Sequence, residues 1–92
     1  MKKRIECVVT GRVQMVMYRD FVARNARRLG VVGIVENKED GSVRVVAEGE
    51  ESLLHELIML LRKGSLLARV DDIRIEWKEE AGGYSLFRIS YR

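Results

Sequence analysis

The sequence has no proline, one cysteine, one histidine and one tryptophan, and its longest apolar run is five residues, Leu57 to Leu61. Each scarcity closes off a class of protein. No Pro-rich or Ser-rich linker divides the 92 residues, so one domain over residues 1–92 is expected. Cys7 has no partner for an internal disulfide and no companions for a cysteine-based zinc site. His55 and the scattered acidic residues offer no ligand cluster, so neither a metal nor another cofactor is expected. Nothing approaches the ~20 apolar residues of a membrane-spanning helix, and no membrane partner is expected. Met1-Lys2-Lys3-Arg4 has the basic character of a signal-peptide start, but Glu6 follows without an adequate apolar segment. A cytoplasmic protein is the expectation.

Net charge is also scarce. Seventeen Lys and Arg against fourteen Asp and Glu leave +3, with an isoelectric point near 9.3. The two signs interleave along the chain, as on ordinary solvated faces. The excess is compatible with an anionic ligand and too weak by itself to indicate nucleic acid.

What the chain has is periodicity. Five segments alternate with period two, as half-buried strands do. Ile5, Cys7 and Val9 oppose Arg4, Glu6 and Val8. Ile34 and Glu36 oppose Val35 and Asn37, less cleanly. Val43, Val45 and Ala47 oppose Arg44, Val46 and Glu48. Ile73, Ile75 and Trp77 oppose Arg74, Glu76 and Lys78, and Phe87, Ile89 and Tyr91 oppose Arg88, Ser90 and Arg92. Two segments have helical period instead. Tyr18, Val22, Ala26 and Leu29 form one stripe, with Gly30 as its stop. Leu53, Leu54, Leu57, Ile58 and Leu61 form the other, ending before Gly64. Asp40-Gly41 signals a hairpin turn, and Asp71-Asp72 and Gly82-Gly83 punctuate the last third. Cys7 and Trp77 are read as core, His55 as a half-exposed helix residue.

The order β-α-β-β-α-β with a further C-terminal strand predicts a ferredoxin-like α/β sandwich. Its sheet is expected to be antiparallel, with both helices on one face. That architecture hosts unrelated functions, so function must come from the residues.

Gly11-Arg12-Val13-Gln14-Met15-Val16-Met17-Tyr18-Arg19 carries the strongest signal. It joins a strand to a helix N-terminus, where backbone N–H groups and the helix dipole favour an anion. An arginine in a first helical turn opposes that dipole unless an anion binds nearby. Its planar fork of donors matches two phosphate oxygens. The segment reads as a phosphate cradle.

These residues resemble the acylphosphatase family, small hydrolases of carboxyl–phosphate anhydrides with this fold. The family's first motif is Gly-x-Val-Gln-Gly-Val-x-Phe-Arg. Gly11, Val13, Gln14, Val16 and Arg19 match it, Tyr18 stands for the aromatic, and Met15 replaces the central glycine. A second spaced motif is reproduced by Gly33, Asn37, Gly41, Val43 and Gly49. There Ile34 replaces the usual aromatic, and Glu36 stands where a basic or neutral residue is commoner. Ala68-Arg69-Val70-Asp71 and Phe87-Arg88-Ile89-Ser90-Tyr91 also fit, whereas the proline usual after the glycine equivalent to Gly64 is absent. The resemblance covers essentially the whole chain.

The resemblance implies that Arg19 and the loop amides of Gln14, Met15, Val16, Met17 and Tyr18 bind the phosphoryl group. It implies that Asn37 orients the attacking water and that no metal takes part. A small acyl phosphate is the implied substrate and inorganic phosphate a product; a monomer is expected, without a nucleic-acid partner. Asp20 is expected to point away from Arg19, since consecutive helical residues diverge by ~100°. Met15 raises the expectation of a weakened or silent enzyme, through positive-φ strain or by covering the cradle. Two alternatives stand beside hydrolysis. One is a non-catalytic phosphate or anion binder on the same scaffold. The other is an RNA-recognition module, which needs base-stacking aromatics on its open sheet face; Arg4, Glu6, Val8, Arg44, Val46 and Glu48 supply none.

Overall fold

A computed structural model describes residues 1–91. Arg92, read above as the end of the fifth strand, lies outside the described residues. In chain order the elements are β1 (Lys2–Arg12), α1 (Tyr18–Leu29), β2 (Val32–Asn37), β3 (Val43–Glu50), α2 (Glu51–Lys63), β4 (Arg69–Glu79) and β5 (Phe87–Ser90). The five strands form one sheet in the order β4-β1-β3-β2-β5. Ile5, Cys7, Val9, Val35, Val43, Val45 and Ala47 face both helices and are fully buried with Ala26, Leu54 and Leu57. Burial pushes the Cys7 thiol up to about 12, which leaves it an inert core residue. The alternation and the helical stripes thus assemble into the expected two-layer sandwich.

The sheet is mixed rather than wholly antiparallel. β4, β1, β3 and β2 run antiparallel to their neighbours, but β5 lies parallel to β2. The connection after β4 crosses from one edge of the sheet to the other, so β5 runs opposite to β4 and therefore along β2. This crossing covers part of the face without helices. Ala81 and Gly82 donate their N–H groups to the Glu48 carboxylate at 2.9 and 3.1 Å. Arg4 donates to the same group at 3.0 Å and lies over the Tyr84 ring. Glu48, read as an outward position, is consequently only 2% exposed. Burial opposes its ionisation, but the two N–H groups and Arg4 outweigh that penalty, and its pKa lies below the ordinary value.

Three expectations are corrected. Trp77 is not core: on the edge strand β4 it is 41% exposed, its ring 4.9 Å from that of half-exposed His55. At the sheet edge, α2 covers only one side of so large a side chain, through His55. Asp71 and Asp72 do not interrupt β4. They lie at a bulge where Thr10 pairs with Asp72 but Gly11 pairs with Val70. A Cβ on Gly11 would stand 2.2 Å from the Arg69 carbonyl oxygen, and its φ of 128° is one that side chains disfavour. Glycine is therefore required where β1 turns into the loop beyond it. Finally, the fifth strand ends at Ser90, and Tyr91 leaves it for the N-terminus of α1.

Candidate active site

The loop from Val13 to Met17 is pinned by alternate side chains. Val13 and Val16 are buried in the core. Between them the Gln14 amide nitrogen donates to the carbonyl oxygens of Lys38 and Ser42, at 2.8 and 2.9 Å. Ser65 Oγ donates to the Val16 carbonyl at 3.2 Å. With those side chains turned inward or sideways, Met15 and Met17 face out, 98% and 71% exposed. Both take left-handed backbone, φ 59° and 62°. Positive φ, one of the two features expected of methionine here, is present, and the Met15 side chain also borders the cavity beside Arg19.

Met17 is the N-cap of α1 and makes no side-chain capping bond. Ser, Thr, Asp or Asn at this place normally satisfies one of the first orphan N–H groups. Here that device is missing. Among the described residues, no protein acceptor is bonded to the backbone N–H groups of Gln14, Met15, Val16, Met17, Tyr18, Arg19 or Asp20. A run of free donors at a helix N-terminus is an anion-binding arrangement. The Tyr18 ring is not part of it: buried, with its hydroxyl donating to the Leu61 carbonyl at 2.8 Å, it fastens α1 to α2.

Arg19 projects beside this loop. It borders a cavity of about 400 Å³ with Met15, Met17, Asp20 and Tyr91. Its Nη1 donates weakly to the Ser90 carbonyl at 3.4 Å, and its guanidinium carbon lies 5.1 Å from the centre of the Tyr91 ring. Asp20, which borders the same cavity, pairs its carboxylate with Arg24, Nε to Oδ2 2.9 Å.

Asn37 ends β2 and borders a different cavity, about 520 Å³, with Glu36, Lys38, Glu39 and Asp40. The structure thus does not put Arg19 and Asn37 on one cavity wall. It brings them to one end of the sheet: Arg19 touches Ser90, and Ser90 pairs with Glu36, the neighbour of Asn37. The Asn37 Oδ1 atom is buried and accepts no hydrogen bond from the described residues, an unusual state for a buried acceptor. Asp40 accepts from the backbone and hydroxyl of Ser42 in the hairpin turn that follows, so the Asx role falls to Asp40 and not Asn37. Glu36 is engaged by Arg44 at 3.4 Å. Among the described residues no three His, Cys, Asp or Glu side chains group to hold a metal ion.

The side-chain role of Gln14 and the approach of Tyr91 to Arg19 were not legible in the sequence. Both contacts join residues far apart in the chain, and only the motif position of Gln14 marked it.

The acylphosphatase family profile matches residues 5–89. A protein named acylphosphatase from Caldanaerobacter subterraneus subsp. tengcongensis is 46% identical over 89 residues, 97% of this chain and 99% of that one. The acylphosphatase of Salinibacter ruber is 43% identical over 88 residues, 96% of this chain and 93% of that one. The crystal structure of acylphosphatase from Bacillus subtilis superposes with a TM-score of 0.94 at 34% identity, covering 99% of this chain and 100% of that one. Matches of this extent make the chain a hydrolase that belongs to the acylphosphatase family.

Proposed function

We propose that this chain hydrolyses the carboxyl–phosphate bond of small acyl phosphates by in-line attack of water without a metal ion. The observation that carries this is the pairing of Arg19 with a loop whose N–H groups have no protein acceptor among the described residues, both bordering one cavity. Arg19 and those amides bind the phosphoryl oxygens and stabilise the charge that builds on them. Asp20, held by Arg24, keeps its negative charge engaged. The leaving carboxylate has a pKa of ~4, so it departs with the bonding electrons and needs no general acid. The Asn37 carbonyl oxygen accepts a hydrogen bond from the attacking water and so aims the water's lone pair at phosphorus. A carboxylate at that place would repel the phosphoryl group. The P–O bond to the acyl group breaks as the water oxygen bonds, and the water's proton passes to phosphate or solvent.

Met15 weakens this activity toward the smallest substrates, through its left-handed backbone and its side chain at the cavity mouth. The chain acts as a monomeric single domain in the cytoplasm, without nucleic acid. Hydrolysis of benzoyl phosphate is the direct test. Arg19→Ala removes both turnover and inhibition by inorganic phosphate; phosphate inhibition at the wild-type level in that variant overturns the assignment of Arg19. A wild-type protein that binds phosphate and turns over no acyl phosphate is instead the non-catalytic binder.

A further inference from the structure

Met15 and Met17 are the only non-glycine residues with positive φ among the described residues. Strained backbone persists where a site makes use of it. Here it turns two thioethers outward on either side of buried Val16, and both border the Arg19 cavity. The third large apolar group at that mouth is Tyr91, 78% exposed, beside the Arg19 guanidinium.

We propose that Met15, Met17 and Tyr91 form an acyl subsite that selects acyl phosphates with an aromatic or bulky apolar acyl group over acetyl phosphate. The proposal rests on the hydrolase reading above. A phosphoryl group held by Arg19 and the loop amides leaves its acyl substituent at the mouth of the cavity, where these three side chains stand. Methionine is unbranched and polarisable, and its sulfur packs favourably against aromatic rings. The tyrosine ring offers a stacking face. An acetyl group leaves all three in water, whereas an aromatic acyl group covers them, and burial of that shared apolar area is realised only with the larger substrate. Glycine at position 15 would relieve the backbone but remove one wall. The strained methionine therefore trades activity on small substrates for preference among large ones.

The test compares kcat/KM for benzoyl and acetyl phosphate in the wild type and in the double variant Met15→Asn, Met17→Asn. Asparagine tolerates left-handed backbone, and the ratio between variants cancels the difference in leaving groups. The benzoyl-to-acetyl ratio is expected to fall at least about fivefold in the double variant, mainly through KM for benzoyl phosphate. An unchanged ratio overturns the subsite. Calorimetric binding of benzylphosphonate and methylphosphonate gives a readout without turnover. The wild type should prefer the benzyl compound and the double variant should lose that preference; equal wild-type affinities overturn the proposal. Discrimination between the phosphonates without hydrolysis of either acyl phosphate would sustain the subsite and overturn the hydrolase reading. Hydrolysis of both substrates with no discrimination would do the reverse.

Discussion

Gln14 Nε2 donates to the Lys38 carbonyl oxygen at 2.8 Å, and so fastens the loop beside Arg19 to the residue that follows Asn37. A second bond from the same nitrogen, to the Ser42 carbonyl at 2.9 Å, closes the clamp on the other side of the hairpin turn. One primary amide thereby holds the two candidate halves of the site in register.

Gln14→Ala should lower stability by about 1–2 kcal/mol, the loss of two neutral hydrogen bonds, and reduce kcat/KM. Gln14→Glu should be worse than alanine on both counts, because its carboxylate would face two carbonyl oxygens with nothing to donate. Urea denaturation and acyl phosphate assays check the order; a glutamate variant equal to wild type would remove the clamp from the account.

Asn37→Ala should separate binding from turnover. If the side chain only places water, the inhibition constant for inorganic phosphate stays near its wild-type value while kcat falls by about 10²–10³. A parallel loss of phosphate inhibition would make Asn37 a ligand of the anion.

Prolonged treatment with EDTA should leave turnover of acyl phosphates unchanged, since in the proposed mechanism Arg19 and backbone amides carry the phosphoryl charge. Activity lost to the chelator and restored by a divalent cation would overturn the metal-free mechanism.

Met15→Gly should raise kcat/KM for acetyl phosphate at least about tenfold, equivalent to ~1.4 kcal/mol of transition-state stabilisation. Glycine adopts a φ of 59° freely, whereas methionine there carries roughly 1–2 kcal/mol of strain. Steady-state kinetics on both proteins decide it. A brisk wild type with no gain in the variant would mean that the loop holds its amides in place despite the methionine.

Stability should fall in acid through the buried carboxylate of Glu48. Its folded pKa is below the ordinary value, with burial outweighed by the Ala81 and Gly82 N–H groups and by Arg4. The Glu6 pKa is also lowered, first by its hydrogen bond from Arg4. A depressed carboxylate pKa contributes stability in full above the unfolded pKa of ~4.3, and that contribution is lost as pH falls through the folded value. Thermal melts between about pH 7 and pH 3 should therefore show a declining Tm on the acid side that Glu48→Gln flattens. Glu48→Ala should cost about 1–3 kcal/mol at neutral pH by leaving two N–H groups without their acceptor, while Arg4 keeps its bond to Glu6. An acid limb of equal slope in wild type and Glu48→Gln would assign the decline to other carboxylates.

Local chemistry determined much of this protein. The period-two and helical stripes fixed which faces of β1, α1 and α2 are buried, because side-chain direction follows from backbone period alone; in β3 the opposite face is buried too, at Val46 and Glu48. Gly30 marked the end of α1, where it adopts left-handed backbone and its N–H bonds back to Ala26 and Arg27. Gly11 to Arg19 marked the candidate anion loop, because a strand, a loop and a helix start adjacent in sequence are adjacent in space. What the sequence left open depends on contacts between distant segments. The crossing after β4 decided that β5 runs parallel to β2 and that Glu48 is buried under Ala81 and Gly82. Packing at the sheet edge exposed Trp77. Tertiary structure alone set the Gln14 clamp and brought Tyr91 to Arg19, since neither partner lies within reach along the chain. The left-handed turn at Met15 belongs to both. Its position named it as unusual, and only the folded loop, between buried Val13 and Val16, shows its positive φ.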